Sequence, residues 1–293
     1  MKFKYSLITV SLVFIFLGCT SNIVQVKKIP DSVINVKMKE LRQHLVANGV
    51  PGEWFDDQID CYNFQLHSNM NQYFQKSAEK QTDRDKKHNL SWYFALVGVD
   101  AKIEKGKTFI ENNMDTFNRA EARHGIHKEL IAAIIGIETN FADSRYRGKF
   151  YAFNSLVSQY IFADREKFAI REITALYKFS RKTDQSPWYF KSSYAGAIGW
   201  GQFIPSSLLS FFVDENGINH DIDPFSIEDT IFSVENYLHK NGLSKGNVGN
   251  SNSRYGAVYA YNNSDAYVKA VLYIHDRLRR YFSTQEQDIH TEE

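Results

Sequence analysis

The sequence predicts a mainly α protein. Apolar residues recur at helical spacing in one stretch after another, no segment sustains the alternation of a strand, and no internal repeat breaks the chain into modules. Met38, Leu41 and Leu45 stand in register over 36–47, and Asn48-Gly49 followed by Pro51 supplies the stop. The charged stretch 76–88 reads as a solvated loop or helix face. Helical periodicity then returns over 103–122, 128–139, 168–181, 227–240 and 267–281. The polar, acidic end, 283–293, reads as a disordered tail.

The first residues have a different character. Lys2 and Lys4 precede an apolar stretch, 5–17, that is too short to span a bilayer and has the shape of a signal h-region. It runs into Leu17-Gly18-Cys19, which resembles a bacterial lipoprotein processing site, with Phe16 where Leu is usual. Processing would make 1–18 a signal peptide and Cys19 the lipidated N-terminus, with 19–35 as a tether. Several acyl chains together anchor stably where one would be marginal. Thr20 and Ser21 carry no acidic retention signal, which points to the periplasmic face of the outer membrane. A plain secreted protein cleaved nearby is the alternative. Cys61 is then the single remaining cysteine, so no intrachain disulfide is available, and it reads as a small core residue.

At 293 residues the chain is long enough for a substantial core. Its net charge of +1 gives no electrostatic argument for nucleic acid or a membrane surface as partner. Aromatic residues make up 15%, including 17 Tyr and 22 Phe, a composition that suits a carbohydrate cleft and is equally accounted for by core filling. The acidic loop 214–223 departs from the calcium-loop template, because Ile218 holds the fifth position and no Glu falls at the twelfth. It is read as a polar loop; neither a metal nor a cofactor is expected.

Two segments carry chemistry. The run Ser193-Tyr-Ala-Gly-Ala-Ile-Gly-Trp-Gly-Gln-Phe-Ile-Pro-Ser-Ser207 holds Gly196, Gly199 and Gly201 among Ala197, Ile198, Trp200 and Phe203. Three glycines weaken regular structure, yet the segment is too apolar for an exposed loop. A buried, tightly bent wall fits both properties, and such walls line binding clefts. A turn between two core helices fits the composition as well. The glycine order is not that of a dinucleotide fingerprint, and no strand precedes it.

The second segment is 128–139. Leu130, Ile131, Ile134, Ile135 and Ile137 predict a largely buried helix, and Glu138 follows Ile131, Ile134 and Ile135 at i+7, i+4 and i+3. The carboxyl therefore lies on the apolar stripe, where burial raises its pKa and suits it to general-acid work. Pairing with Arg145 or Arg147 is the structural alternative.

Together these segments resemble the membrane-bound lytic murein transglycosylases of the MltB type. The resemblance rests on Gly136-Ile137-Glu138-Thr139, the run from Ser193 to Ser207, Asp223-Pro224, Ser233-Val234-Glu235-Asn236-Tyr237-Leu238, and Tyr261-Asn262-Asn263-Ser264, in the family's order. Fainter similarity extends from Lys39 to Tyr281. It implies a lysozyme-like lobe with an N-terminal helical extension, spanning 36–282. It also implies a peptidoglycan glycan strand as substrate, cut between N-acetylmuramic acid and N-acetylglucosamine with a 1,6-anhydromuramyl end. Glu138 falls on the family's acid, and Ser193, Gln202, Tyr237, Tyr261, Asn262, Tyr267 and Tyr93 on residues lining its cleft. Trp200 and Phe203 are expected to offer faces for sugar rings. Ala142 departs from the pattern, since the family usually has Gly four residues after its acid. The segment between Gly242 and Tyr259, where some relatives carry an insertion, is expected to be a compact mobile loop. No second carboxylate occupies a comparably apolar position, which fits a mechanism with one acid. A hydrolytic muramidase and a glycan-binding lipoprotein without turnover remain open.

Overall fold

Helix α7, Lys128–Thr139, is the axis on which the rest is assembled, and all twelve of its residues are buried. Isoleucine and leucine fill one face while Ala132, Ala133 and Gly136 keep the others small, so neighbours approach from every side. Those neighbours are α5 (Val99–Asn112), α6 (Met114–His124), α11 (Ile227–Lys240) and the long α13 (Asp265–Thr291). A second group sets α1 (Asp31–Ala47) and α2 (Gly52–Ile59) beside α8 (Ala152–Phe162), with α1 also against α9 (Glu166–Thr183). Helix α3 (Met70–Lys87) lies on α8, and α4 (Leu90–Val97) on α5 and α13. Helix α10 (Pro205–Phe211) joins α9 to α11, and α12 (Ser251–Tyr261) joins α11 to α13. Strands β1 (Phe150–Tyr151) and β2 (Lys191–Ser192) pair antiparallel, with Phe150 opposite Ser192. This computed structural model describes residues 29–87, 90–217 and 221–291. The expected signal segment 1–18, Cys19 and Ile218 of the acidic loop lie outside them.

One hydrophobic cluster runs from Leu41 on α1 to Phe282 on α13, so the N-terminal helices share the core of the lobe. Phe153 on α8 is its hub on that side. Trp54, Phe55, Phe64 and Trp188 surround its ring with centroids 5.7, 5.9, 6.0 and 5.7 Å away, mostly edge to face.

The mainly α expectation agrees with this architecture, and 128–139 and 227–240 match their helices end to end. Several expectations do not. Helix α1 begins at Asp31, five residues earlier than expected and inside the supposed tether, because Pro30 fixes an extended entry. The periodic stretch 103–122 is two helices, broken at Asn113, whose backbone leaves helical geometry. The charged stretch 76–88 falls largely on α3. The supposed loop between Gly242 and Tyr259 contains α12, started by Asn250, whose Oδ1 accepts the N–H groups of Asn252 and Ser253. The supposed disordered tail is helical to Thr291 as a continuation of α13, whose Gln285 amide donates to the Tyr281 hydroxyl one turn back. Cys61 is half-buried in a turn, not in the core.

Truncating the aromatic hub isolates its contribution. Phe153→Ala is expected to lower stability by about 3–5 kcal/mol, read as the shift of the denaturant midpoint with little change in slope.

Candidate active site

The glycine-rich run folds as two successive tight reversals. Ser193 and Ala197 close the first, with the Ser193 N–H donating to the Ala197 carbonyl at 2.9 Å. Ile198 and Phe203 close the second by exchanging both backbone bonds, at 2.8 and 3.0 Å. Gly199 has φ of +75°, and a Cβ there would collide with the Pro224 carbonyl, so this position demands glycine twice over. Its neighbour Trp200 donates from the backbone to that same carbonyl at 3.0 Å. The whole run from Ser192 to Gly201 is buried, as the bent-wall reading expects.

This wall is fastened to the end of α7. The Thr139 hydroxyl donates to the Trp200 carbonyl at 2.7 Å. The residue before Thr139 is Glu138, only 7% exposed. Its Oε1 accepts from the Tyr267 hydroxyl at 2.7 Å, across 129 residues of sequence. Burial pushes the Glu138 carboxyl up from 4.5 to about 7; the Tyr267 bond and the positive charge of Lys102 hold it back from rising further. Neither expected arginine reaches it: Arg145 binds Asp143 through two bonds of 3.0 and 2.6 Å, and Arg147 lies over the Phe225 ring. Asp143, in the grip of Arg145, is held well below the usual carboxylate range. The two nearby carboxyls are thus driven in opposite directions, Glu138 towards its protonated form and Asp143 towards its ionised one.

The turn that follows is strained. Asn140, Phe141 and Ala142 all have left-handed backbones, with φ of 52, 64 and 57°. The reversal folds the Phe141 ring back over Gly136, where a Cβ would lie 2.5 Å from the ring.

The expected cleft residues divide into groups. Tyr267 touches the acid directly. Tyr261 donates to the Gly201 carbonyl at 2.5 Å, and its hydroxyl is pushed well up in pKa by burial and by Glu138. Tyr237 packs edge to face on Tyr261 at 4.8 Å and donates to the Ala260 carbonyl at 2.7 Å. Tyr93, buried on α4, acts electrostatically on Tyr267, and Asn262 is buried where α12 ends. Gln202 is held in a left-handed conformation with its amide nitrogen on the Gly199 carbonyl. Its Oε1 is buried with no hydrogen-bond partner among the described residues, an acceptor waiting for a donor. Ser193 is brought no closer than its own turn, where its Oγ accepts the Ala197 N–H at 3.2 Å. Trp200 and Phe203 do not offer open faces. Trp200 is 8% exposed with its indole N–H on the Phe225 carbonyl, and Phe203 is 3% exposed among Phe212, Tyr237 and Tyr261.

Lys102 and Thr139 belong to the site without having been expected there. Lys102 sits just before an amphipathic stretch and reads as one more surface lysine; only its spatial approach to α7 gives it meaning. A groove of about 430 Å³ between α9 and α10 lies elsewhere, and neither Glu138 nor its tyrosines line it.

The site is thus a helical lobe that holds one dry carboxyl against a glycine-built wall. Residues 34–254 match the transglycosylase SLT domain, and the chain belongs to that family. It is 33% identical over 145 residues to the membrane-bound lytic murein transglycosylase B of Escherichia coli (strain K12). That match covers 49% of this chain and 39% of the relative, so it spans about two-fifths of that protein's length. In structure the chain resembles SltB3 of Pseudomonas aeruginosa, solved in complex with NAG-anhNAM-pentapeptide, with a TM-score of 0.69 and 19% identity over 84% of this chain and 79% of that one. It also resembles the Escherichia coli lytic transglycosylase Slt35 in complex with bulgecin A, with a TM-score of 0.67 and 20% identity over 84% and 93%.

Two measurements probe this geometry. A left-handed alanine costs about 1–2 kcal/mol, and glycine's extra unfolded freedom returns about 0.4–1 kcal/mol. Ala142→Gly is therefore expected to stabilise the protein by up to about 1 kcal/mol, a rise of about 2–4 °C in Tm. The raised carboxyl has the opposite sign. Between pH 4.5 and about 7 the unfolded chain loses the Glu138 proton while the folded protein keeps it, so stability falls across that window and levels off above it. Glu138→Gln should remove this part of the fall, the share of Asp229 remaining, and be more stable than the parent at pH 8 by on the order of 3 kcal/mol. Denaturation of both proteins at pH 4.5 and pH 8 checks it.

Proposed function

We propose that the protein is a lytic transglycosylase that cleaves peptidoglycan glycan strands between N-acetylmuramic acid and N-acetylglucosamine. The observation that carries this reading is Glu138, a carboxyl buried at the end of α7, raised to about 7 and bonded to Tyr267. One group that acts first as acid and then as base needs a pKa near working pH, and this one has it.

In the first half, Glu138 donates its proton to the glycosidic oxygen as the bond to muramyl C1 breaks. The oxocarbenium-like centre is assisted by the substrate's own acetamido group. In the second half, the muramyl C6 hydroxyl attacks C1 and gives its proton to the Glu138 carboxylate. The products are an N-acetylglucosamine 4-hydroxyl and a 1,6-anhydromuramyl end, with no water consumed and the acid restored. Asp143, held ionised by Arg145 outside the apolar stripe, has no part in this, which supports a single-acid route over one with two carboxylates. Gln202, with its open acceptor, and Asn262, with Tyr93, Tyr237 and Tyr261, are assigned to holding the strand. Ser193 is assigned to shaping the wall.

The reading includes a lipid anchor. Residues 1–18 would be removed and Cys19 acylated, leaving the lobe tethered to the outer membrane from the periplasm. Among the described residues no helix is long and apolar enough to cross a membrane.

Digestion of purified sacculi followed by mass analysis tests the proposal. Wild type is expected to release muropeptides lighter by one water than their reducing counterparts. Glu138→Gln is expected to lose release by several orders of magnitude while folding normally. Reducing ends from wild type would make the protein a hydrolase instead, and undiminished turnover by the variant would remove Glu138 from the acid role.

A further inference from the structure

Lys102 reaches from α5 to the end of the helix that carries the acid. Its Nζ donates to the Gly136 carbonyl at 2.6 Å and to the Asn140 Oδ1 at 3.1 Å. Gly136 lies in the last turn of α7, where unpaired carbonyls and the helix dipole favour a cation. Asn140 opens the left-handed turn. One ammonium thus ties the two segments that flank Glu138 in the chain.

The position is half-buried, which disfavours the charged form; burial and the neighbouring Lys105 bring Lys102 down to about 8, while Glu138 and Asp143 act the other way. Asp143 is already engaged, by Arg145 at 2.6 Å and by Lys105 at 3.6 Å. The other groups that act electrostatically with Glu138 are the phenols of Tyr267 from α13 and Tyr261 from α12, with Tyr93 of α4 acting on Tyr267. Tyr267 and Tyr261 are both pushed further from ionising, so neither phenol competes as an anion at neutral pH. Among the described residues, Lys102 is the cation that acts on the Glu138 carboxyl, while its own hydrogen bonds go to Gly136 and Asn140.

We propose that Lys102 is a positioning residue for the acid. Its ammonium locks the last turn of α7 to the 140–142 turn and favours the carboxylate form of Glu138, which the second half of the reaction requires. This rests on the proposed function for its kinetic consequences, though the charge coupling itself does not. The device balances the site: burial keeps the acid protonated before cleavage, and Lys102 keeps its conjugate base from becoming too costly afterwards.

Lys102→Met, Lys102→Arg and wild type, each checked for folding by circular dichroism, separate charge from packing. The first readout is the ¹³C NMR titration of the Glu138 carboxyl, assigned with Glu138→Gln. Removal of the cation should raise its midpoint by about one pH unit, a tenfold change in the protonation equilibrium, whereas Lys102→Arg should leave it near the wild-type value. The second readout is turnover on sacculi. Lys102→Met should lose about tenfold in kcat or more, with the alkaline limb of kcat/KM displaced upward and KM little changed; Lys102→Arg should restore the limb. An unmoved midpoint in Lys102→Met, or a midpoint that moves equally in Lys102→Arg, would overturn the proposal. If Lys102→Met does not fold, Lys102→Gln, which keeps a hydrogen-bond donor but removes the charge, is read by the same midpoint with the same expected rise, and an unmoved midpoint overturns the proposal. If wild type fails to cleave sacculi, the proposed function fails, and the titration still tests the Lys102 coupling.

Discussion

A carboxyl group kept out of water is the constraint around which this molecule is arranged. An uncompensated buried carboxylate is among the most unfavourable groups a fold can hold. The chain meets that by raising Glu138 to about 7, giving it one phenol, and placing an ammonium within electrostatic reach but on other acceptors. A guanidinium in direct contact would have held the group permanently ionised, as Arg145 does to Asp143 five residues on. The difference between those two carboxyls is wholly environmental.

The same constraint explains why α7 ends as it does. Glu138 must sit on a rigid rung, yet the chain has to leave the core at once. Three left-handed residues in succession make that exit, held by Lys102 on Asn140 and by Thr139 on the Trp200 carbonyl. Local strain next to a functional group persists only where the surroundings over-determine it. Here they do: the glycine-built wall on one side and α5 on the other leave the turn no room to relax.

Much of the lobe was legible in the sequence because burial leaves a periodic trace. Helix α7 and its acid were readable since a charged residue on an otherwise apolar stripe is conspicuous, and the run from Ser193 to Ser207 was readable from its mismatch of glycine and aromatic content. What escaped notice lacks such a trace. The break at Asn113 and the start of α12 depend on single capping residues, and the helical end of α13 continues a helix whose packed turns lie before residue 283. Trp200 and Phe203 looked like sugar platforms because composition says that a ring is present and not which way it faces; the Trp200 indole is turned to the Phe225 carbonyl, and the Phe203 ring lies against Gly201. Lys102 was invisible for the converse reason. A lysine at the edge of an amphipathic stretch looks solvated, and only the fold brings it to the carbonyl of Gly136.

The Glu138–Tyr267 bond joins positions far apart along the polypeptide. During synthesis α7 exists well before α13 emerges, so the acid spends that interval without its phenol and without the last side of its dry enclosure. A copy truncated ahead of residue 265 never acquires either. The enclosure is thus complete only once α13 is in place, and a chain broken ahead of it carries the carboxyl without the phenol and without the burial that raises it above its ordinary value.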